Sequence, residues 1–514
     1  MKHKINKFTQ SFLLLAVMAV LFGSCKKWLA DTDVDPSNLS PETYYTTPDH
    51  AEAALAAVYA QTRFINGGAG IFANNFSMLE MVTGTAKTET GQNTDLNNLI
   101  GLSYNGDNVF VGNWWNGPYS LIAQANLVIQ KVPAITPMDE AQKNRILGEA
   151  KFLRAWAYFY LVRLYGDVPL LVEPVDASST DLYPSRTPVE TVYAQIVADL
   201  TDAENAGLPW ADQTGRASLG AVKAELAEVY LTMAGYPLGK GSTYYKMAAD
   251  KAKEVIESGS FGLFDNYLAL HSVSEENKVE QIFEIQYLSG VADNPNQGIL
   301  LPNFKDVSAY GTEIGSTVPT LQFYNSYEPG DLRAVDRQGF FYTHYYDGGD
   351  GELKDLSAPY IYKHFDIIAN GTQGVPGTAS SSLNWMNIRY AQVLLTYAEA
   401  SNEAEGSPNL AALDAVNQIR LRAKLAPLGN LSQADFREAV WRERWHELCY
   451  EGITWFDMIR LRKVYNEATN GFDNFVGHKF PDSGSVLEEK HLLFPLPTSE
   501  MLNNPNLTPQ NPGY

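Results

Sequence analysis

The chain has 514 residues and a formal net charge of -21, from 38 Lys+Arg against 59 Asp+Glu. So acidic a protein argues against nucleic acid and against docking on an anionic surface; neutral ligands such as sugars are compatible with it, though the charge does not select them. Two cysteines, Cys25 and Cys449, leave no disulfide framework and no cysteine metal cluster, so a large core or two lobes must be held by packing alone.

In chain order, Lys2, Lys4 and Lys7 precede an apolar stretch from Phe12 to Phe22. A basic start and an apolar core well short of the ~20 residues of a membrane-spanning helix read as a secretory signal over 1–24. Gly23 and Ser24 before Cys25 resemble a bacterial lipobox, with Phe22 where the usual box has leucine. Cys25 is then the expected lipidation site, and two or more acyl chains anchor a protein stably. An ordinary signal with a chance cysteine is the alternative. Residues 25–46, with Asp31, Asp33, Asp35 and two prolines, read as a lipidated tether. Residues 47–514 are expected to form one domain.

A first helix is expected over about 48–63, capped by Thr47. Residues 66–112, full of Gly, Asn and Thr, read as loop. Helices follow at about 114–131 and 139–165, the second carrying Ala150, Leu153, Ala157 and Leu161 at helical spacing and stopped by Gly166 to Pro169. Further helices are expected near 188–206, 218–235 and 243–258, then a strand at 279–287. The span 288–383 shows almost no helical period and reads as a loop-rich insertion. Helices return at about 386–404, 409–424, 433–450 and 453–468, and the tail from 470 reads as loop. Pairs such as 218–235 with 243–258, and 386–404 with 409–424, have tetratricopeptide-like length without that repeat's consensus. The expected class is therefore mainly α: helical hairpins forming a scaffold, with long irregular loops and a few short strands. On such a scaffold function falls on the irregular insertions.

Three stretches carry a resemblance. The first is Trp115, Tyr119, Ile122, Ala125 and Asn126, continuing to Ala150, Arg154, Tyr158 and the Tyr165 to Pro169 stop. The second runs from Arg442 through Arg444, Glu447, Glu451 and Gly452 to Trp455, Asp457 and Arg460. The third is the end, from Phe494 and Pro497 through Asn504, Asn506 and Gln510 to Tyr514. Together they resemble the SusD/RagB family of nutrient-binding outer-membrane lipoproteins. In the insertion, only Asp331 to Arg333 and Tyr360 to Lys363 share the likeness. The resemblance implies the SusD-like fold and a cell-surface lipoprotein that captures oligosaccharide or polysaccharide. It would pass the glycan to a SusC-like TonB-dependent outer-membrane transporter, held on the outer membrane by its lipid anchor and facing the exterior. The motif residues themselves read as structural. Arg444, Glu447 and Glu451 at i, i+3 and i+7 are expected to pair along one helix face.

A pyranose offers an apolar C–H face to an aromatic ring and a rim of hydroxyls to Asn, Asp, Gln and Arg. Two loops offer both. One holds Asn93, Asp95, Tyr104, Asn105, Asp107, Asn108 and Phe110, just ahead of Trp114; the other holds Asn303, Phe304, Asp306 and Tyr310. Trp115 matches the family's structural tryptophan, which leaves Trp114 free to face outward. The expected glycan contacts are Tyr104, Asn105, Asp107, Trp114, Phe304 and Tyr310.

Catalytic motifs are weak. His446 and Glu447 open like a zinc helix, but Tyr450 stands where the second histidine belongs. Gly67 to Gly70 lacks the lysine of a phosphate loop, and no Gly-x-Ser-x-Gly elbow occurs. The run from Asp347 to Glu352 lacks the ligand series of a calcium loop and reads as a solvated turn. Cys449, in an aromatic-rich helical run, reads as a buried inert thiol. The expectation is a binding protein without catalysis, cofactor or metal. The competing class is a helical scaffold or lid subunit that holds the transporter and touches no sugar.

Overall fold

The computed structural model describes residues 44–89, 91–176, 179, 181–302, 314–347, 350–371 and 381–514. The leader, Cys25, the tether up to 43, Phe304 and Tyr310 lie outside the described residues.

Helix starts fall where a side-chain oxygen can take an orphan backbone N–H. Thr47 caps α1 (Pro48–Gln61), accepting from the His50 amide at 3.3 Å. Two short elements follow, α2 (Ser77–Met81) and β1 (Ala86–Lys87). Asn93 caps α3 (Thr94–Ile100) and Asn108 caps α4 (Val109–Lys131). Asp139 caps α5 (Glu140–Tyr165), which ends at Gly166 with φ +73, a conformation that suits glycine. Then come α6 (Val189–Glu204), α7 (Leu219–Ala234, capped by Ser218) and α8 (Ser242–Glu257).

The middle of the chain supplies β2 (Gln281–Ile285), β3 (Val318–Pro319), β4 (Phe341–Tyr346), β5 (Leu353–Ile361) and β6 (Trp385–Arg389). Helices resume with α9 (Tyr390–Glu405), α10 (Leu410–Arg422, capped by Asn409), α11 (Gln433–Glu447, capped by Ser432) and α12 (Thr454–Leu461). The hairpin β7 (Lys463–Asn466) and β8 (Gly471–Asn474) precedes the tail.

The expected hairpins form: α7 packs on α8 and α9 on α10. The two hairpins also join, because α8 packs on α9. Residues 220–234 of α7 are buried on every side, so α7 is a central rod rather than an amphipathic surface helix. Helices α4, α5 and α6 form a second layer, with α1 against α4 and α5.

The strands pair two by two and antiparallel: β1 with β3, β2 with β6, β4 with β5, and β7 with β8. Boundaries differ from the sequence reading in several places, and the 66–112 span read as loop holds α2 and α3. Helix α4 begins five residues early, at Val109, because Asn108 caps it; Pro118 then sits inside the helix rather than in its first turn. The start of the expected 386–404 helix is strand β6, bound to β2 before α9 begins. The expected 453–468 helix stops at Leu461, where Arg462 turns left-handed (φ +56), and the chain continues as β7. Among the described residues, no helix is long and apolar enough to cross a membrane.

Candidate functional site

The charges of the second motif build the interior. Glu447, fully buried, accepts from Arg389 and Arg422 at 2.7 Å each, from Arg333 at 3.1 Å and from the Tyr267 hydroxyl at 3.2 Å. Burial alone would raise its carboxyl; Arg422, Arg389 and Arg333 pull it down to about 2. Glu451 pairs with Arg389 and Lys363, and Arg444 with Asp457 and Glu228. The expected pairing of Arg444, Glu447 and Glu451 along one face is thus corrected. The helix ends at Glu447; Arg444 reaches Asp457 and Glu228, while Glu447 and Glu451 share Arg389 of β6. His446 stacks on Phe323 at 5.6 Å, and burial and Arg333 lower it to about 3, so the ring is a neutral core group. Burial lifts the Cys449 thiol to about 11, which makes it a poor nucleophile.

The first motif fixes the chain beyond α5. Arg154 forks onto Asp199 at 2.8 and 2.6 Å and donates to Asn126 at 2.8 Å. Asn126 and Tyr158 both donate to Leu171 O at 2.9 Å, and Tyr119 to Pro169 O at 2.8 Å. The tail is tied to the same helix end. Phe494 N–H donates to Leu164 O, and Asn511 Nδ2 to Tyr165 O and Phe494 O.

The expected sugar contacts divide. Trp114 is fully buried: its ring packs edge-on to Phe64 and its Nε1–H donates to Asn75 O at 2.8 Å. Tyr104 is also buried, stacked on Phe494 and Tyr514 with centroids 5.0 and 6.0 Å away. Neither ring can present a face to a ligand, which corrects the expectation for both. The helix that starts at Val109 turns Trp114 inward, and Tyr104 serves as the anvil for the tail. Asn105 and Asp107 remain exposed, with Asn105 Oδ1 accepting from the Asp107 amide at 2.9 Å. They sit beside the tail, where Thr498 N–H donates to Gly106 O.

An exposed ring appears instead at the 67–75 turn. Ile71 and Phe72 are 54% and 50% exposed, and Phe72 has φ +56, a conformation that costs a non-glycine residue roughly 1–3 kcal/mol. Two segments hold it there. Asn93 Nδ2 donates to Ala69 O at 3.1 Å and Ile71 O at 2.9 Å, and the Ser316 hydroxyl donates to Phe72 O. Asn74 Nδ2 donates to Asn296 Oδ1 at 2.6 Å, and Asn294 N–H to Ser381 O, so the turn shares a loop face with 294–302, 314–320 and 381–384. An apolar pair within a Gly/Asn-rich stretch was the available signal, and reading that stretch only as a flexible turn missed it.

A groove of about 940 Å³ lies elsewhere, between the end of α5, α6, the α7–α8 turn, α12 and the tail. Arg163, Arg186, Arg460, Arg462 and Lys490 line it against Asp167 and Glu489. These residues are too far apart in sequence for any local motif. Among the described residues no cluster of His, Cys, Asp and Glu could hold a metal ion.

Residues 338–514 match the model of the SusD family, and residues 35–231 match that of the family described as starch-binding, associating with outer membrane. A SusD superfamily protein of Parabacteroides distasonis superposes with a TM-score of 0.86 at 39% identity, covering 93% of this chain and 100% of its own. The SusD-like protein P2 of Formosa agariphila is 29% identical over 99% of this chain and 100% of its own length. The starch-binding protein SusD of Bacteroides thetaiotaomicron is 26% identical over 54% of this chain and 51% of its own. With its helical hairpins, its tail folded back on α5 and these matches across nearly the whole length, the chain belongs to the SusD family.

Proposed function

We propose that this chain is a cell-surface lipoprotein that captures oligosaccharide, without catalysis, and delivers it to a SusC-like TonB-dependent outer-membrane transporter. Acyl chains on Cys25 would hold it to the outer membrane. The starch-binding relative and the starch-binding family description support the ligand class.

The observation that carries the reading is the Phe72 turn. A ring held outward in a costly backbone conformation by Asn93 and Ser316 suits stacking on a sugar face. Asn105, Asp107, Phe304 and Tyr310 stay as further proposed polar and aromatic contacts.

The test is a glycan array on the mature chain followed by calorimetry. Phe72→Ala is expected to weaken the best neutral glycan by at least about tenfold, the ~1.4 kcal/mol that one stacked ring supplies, with an unchanged melting curve. Undiminished affinity in that variant removes the site. Silence across the whole array, together with a stable complex with the transporter, would establish the scaffold reading in its place.

A further inference from the structure

The groove beneath the tail reverses the character of the molecule. In a chain of net charge -21, its lining carries five cationic side chains against two carboxylates. Two of the five are spoken for. Arg460 is locked to Glu399 and Asp457 at 2.5 and 2.7 Å. Arg186 donates to Asp167 O, Pro509 O, Tyr165 O and Asn511 Oδ1, and so stitches the tail down.

Arg163 and Arg462 differ. The Arg163 guanidinium lies between two rings, 3.5 Å from the Phe159 centroid and 3.7 Å from that of Phe456, and among the described residues its one hydrogen bond is from Nε to Phe159 O. Its nearest acidic influences, Glu225 and Glu228, make no ion pair with it; burial lifts Glu225 to about 7, so that carboxyl is partly protonated near neutrality. Arg462 lies 5.1 Å from the centroid of the Tyr236 ring, which is 53% exposed, and its buried Nη1 has no partner among the described residues. Burial lowers the pKa of both guanidiniums from the ordinary value, and both stay charged. A desolvated cation without a carboxylate is costly unless an anion completes it.

The volume falls within the range of small-ligand pockets, about 300–1,000 Å³. Its walls join an exposed ring, guanidinium forks and the Asn506 amide. Forks meet carboxylate or sulfate oxygens two at a time, and the ring takes an apolar sugar face.

We propose that this groove is a second binding site, for an acidic saccharide whose carboxylate or sulfate groups are met by Arg163 and Arg462 while a sugar ring lies on Tyr236. The proposal rests on reading the chain as a glycan binder but not on the Phe72 turn, none of whose residues lines the groove.

Calorimetry on the mature chain would use trigalacturonate, trimannuronate and a sulfated chondroitin disaccharide as probes, with maltotriose and inorganic sulfate as controls. At least one acidic probe is expected to bind, more weakly as salt rises. Arg462→Gln should cost that probe about tenfold or more, since a charge-assisted hydrogen bond contributes roughly 1.5–3 kcal/mol. Arg163→Met should do the same while preserving the packing between the two rings. Phe72→Ala should leave acidic-probe binding unchanged. Failure of all three acidic probes, indifference to both arginine variants, or equal affinity for inorganic sulfate would overturn the site. If neutral glycans still bind through Phe72 in that case, the capture function stands and only the groove is lost.

Discussion

Arginine plays opposite parts in the Glu447 cluster and in the groove below the tail. In the cluster every guanidinium is answered: Arg389 alone meets Glu280, Glu447 and Glu451. In the groove Arg163 and Arg462 rest on rings, and Glu225, Glu228 and Glu489 act on them only from a distance, with no ion pair among the described residues. The residue type is the same, and burial penalises its charge in both places. What differs is whether the fold itself brings the counter-charge. Where it does, the arginine holds the body together; where it does not, the arginine is available to something outside the chain.

Removing Arg389 should break this comparison hardest. Arg389→Ala takes one partner from each of three buried carboxylates, leaving Glu280 and Glu447 to Arg422 and Glu451 to Lys363, and is expected to cost about 3–5 kcal/mol by urea denaturation. Arg462→Gln strands nothing and should stay within about 0.5 kcal/mol of the parent. Equal losses for the two would erase the distinction.

pH acts next, from both sides. Glu447 is held at about 2 against an ordinary 4.5, so its stabilisation is complete above 4.5 and drains away as pH falls towards 2. Glu80, Glu225 and Glu284 go the other way: burial raises each to about 7. Their native protons favour the fold below 4.5, and that advantage is lost as pH rises through 7. Urea midpoints should therefore peak near about pH 5 and decline towards both about pH 3 and about pH 8. A midpoint that climbs steadily to about pH 8 would contradict the buried carboxyl assignments.

The smallest effect concerns a neutral group. Trp114→Phe removes one hydrogen bond to Asn75 O and should cost about 1–2 kcal/mol in thermal denaturation without altering glycan affinity. A loss of affinity with unchanged stability would return Trp114 to the binding surface.

The helical body was legible because caps and periodicity are local. Thr47, Asp139, Ser218, Asn409 and Ser432 each stand one residue before a helix and mark its start. Asn108 does the same for α4, yet reading 66–112 as loop moves the expected start to about 114, and matching Trp115 to the family's structural tryptophan leaves Trp114 outward. The candidate site was far less legible. Whether Tyr104 faces water depends on Phe494 and Tyr514, hundreds of positions away. The loop period gives no hint that the tail will cover it. Phe72 owes its exposure to Asn93 and Ser316, and the groove gathers residues from α5, α12 and the tail, so neither writes a local pattern. The motif charges carried the family likeness because they build the interior, not the ligand surface.

Glu447 draws Tyr267, Arg333, Arg389 and Arg422 to one point from widely separated stretches of chain. None of these can leave water profitably until the others have arrived, so no early, local folding event can close this junction. Its completion is expected to come late and all at once. Chains caught before that moment would keep the strands and helices around it apart, so the two helical hairpins and the β2–β6 pair should melt as one cooperative unit rather than in stages.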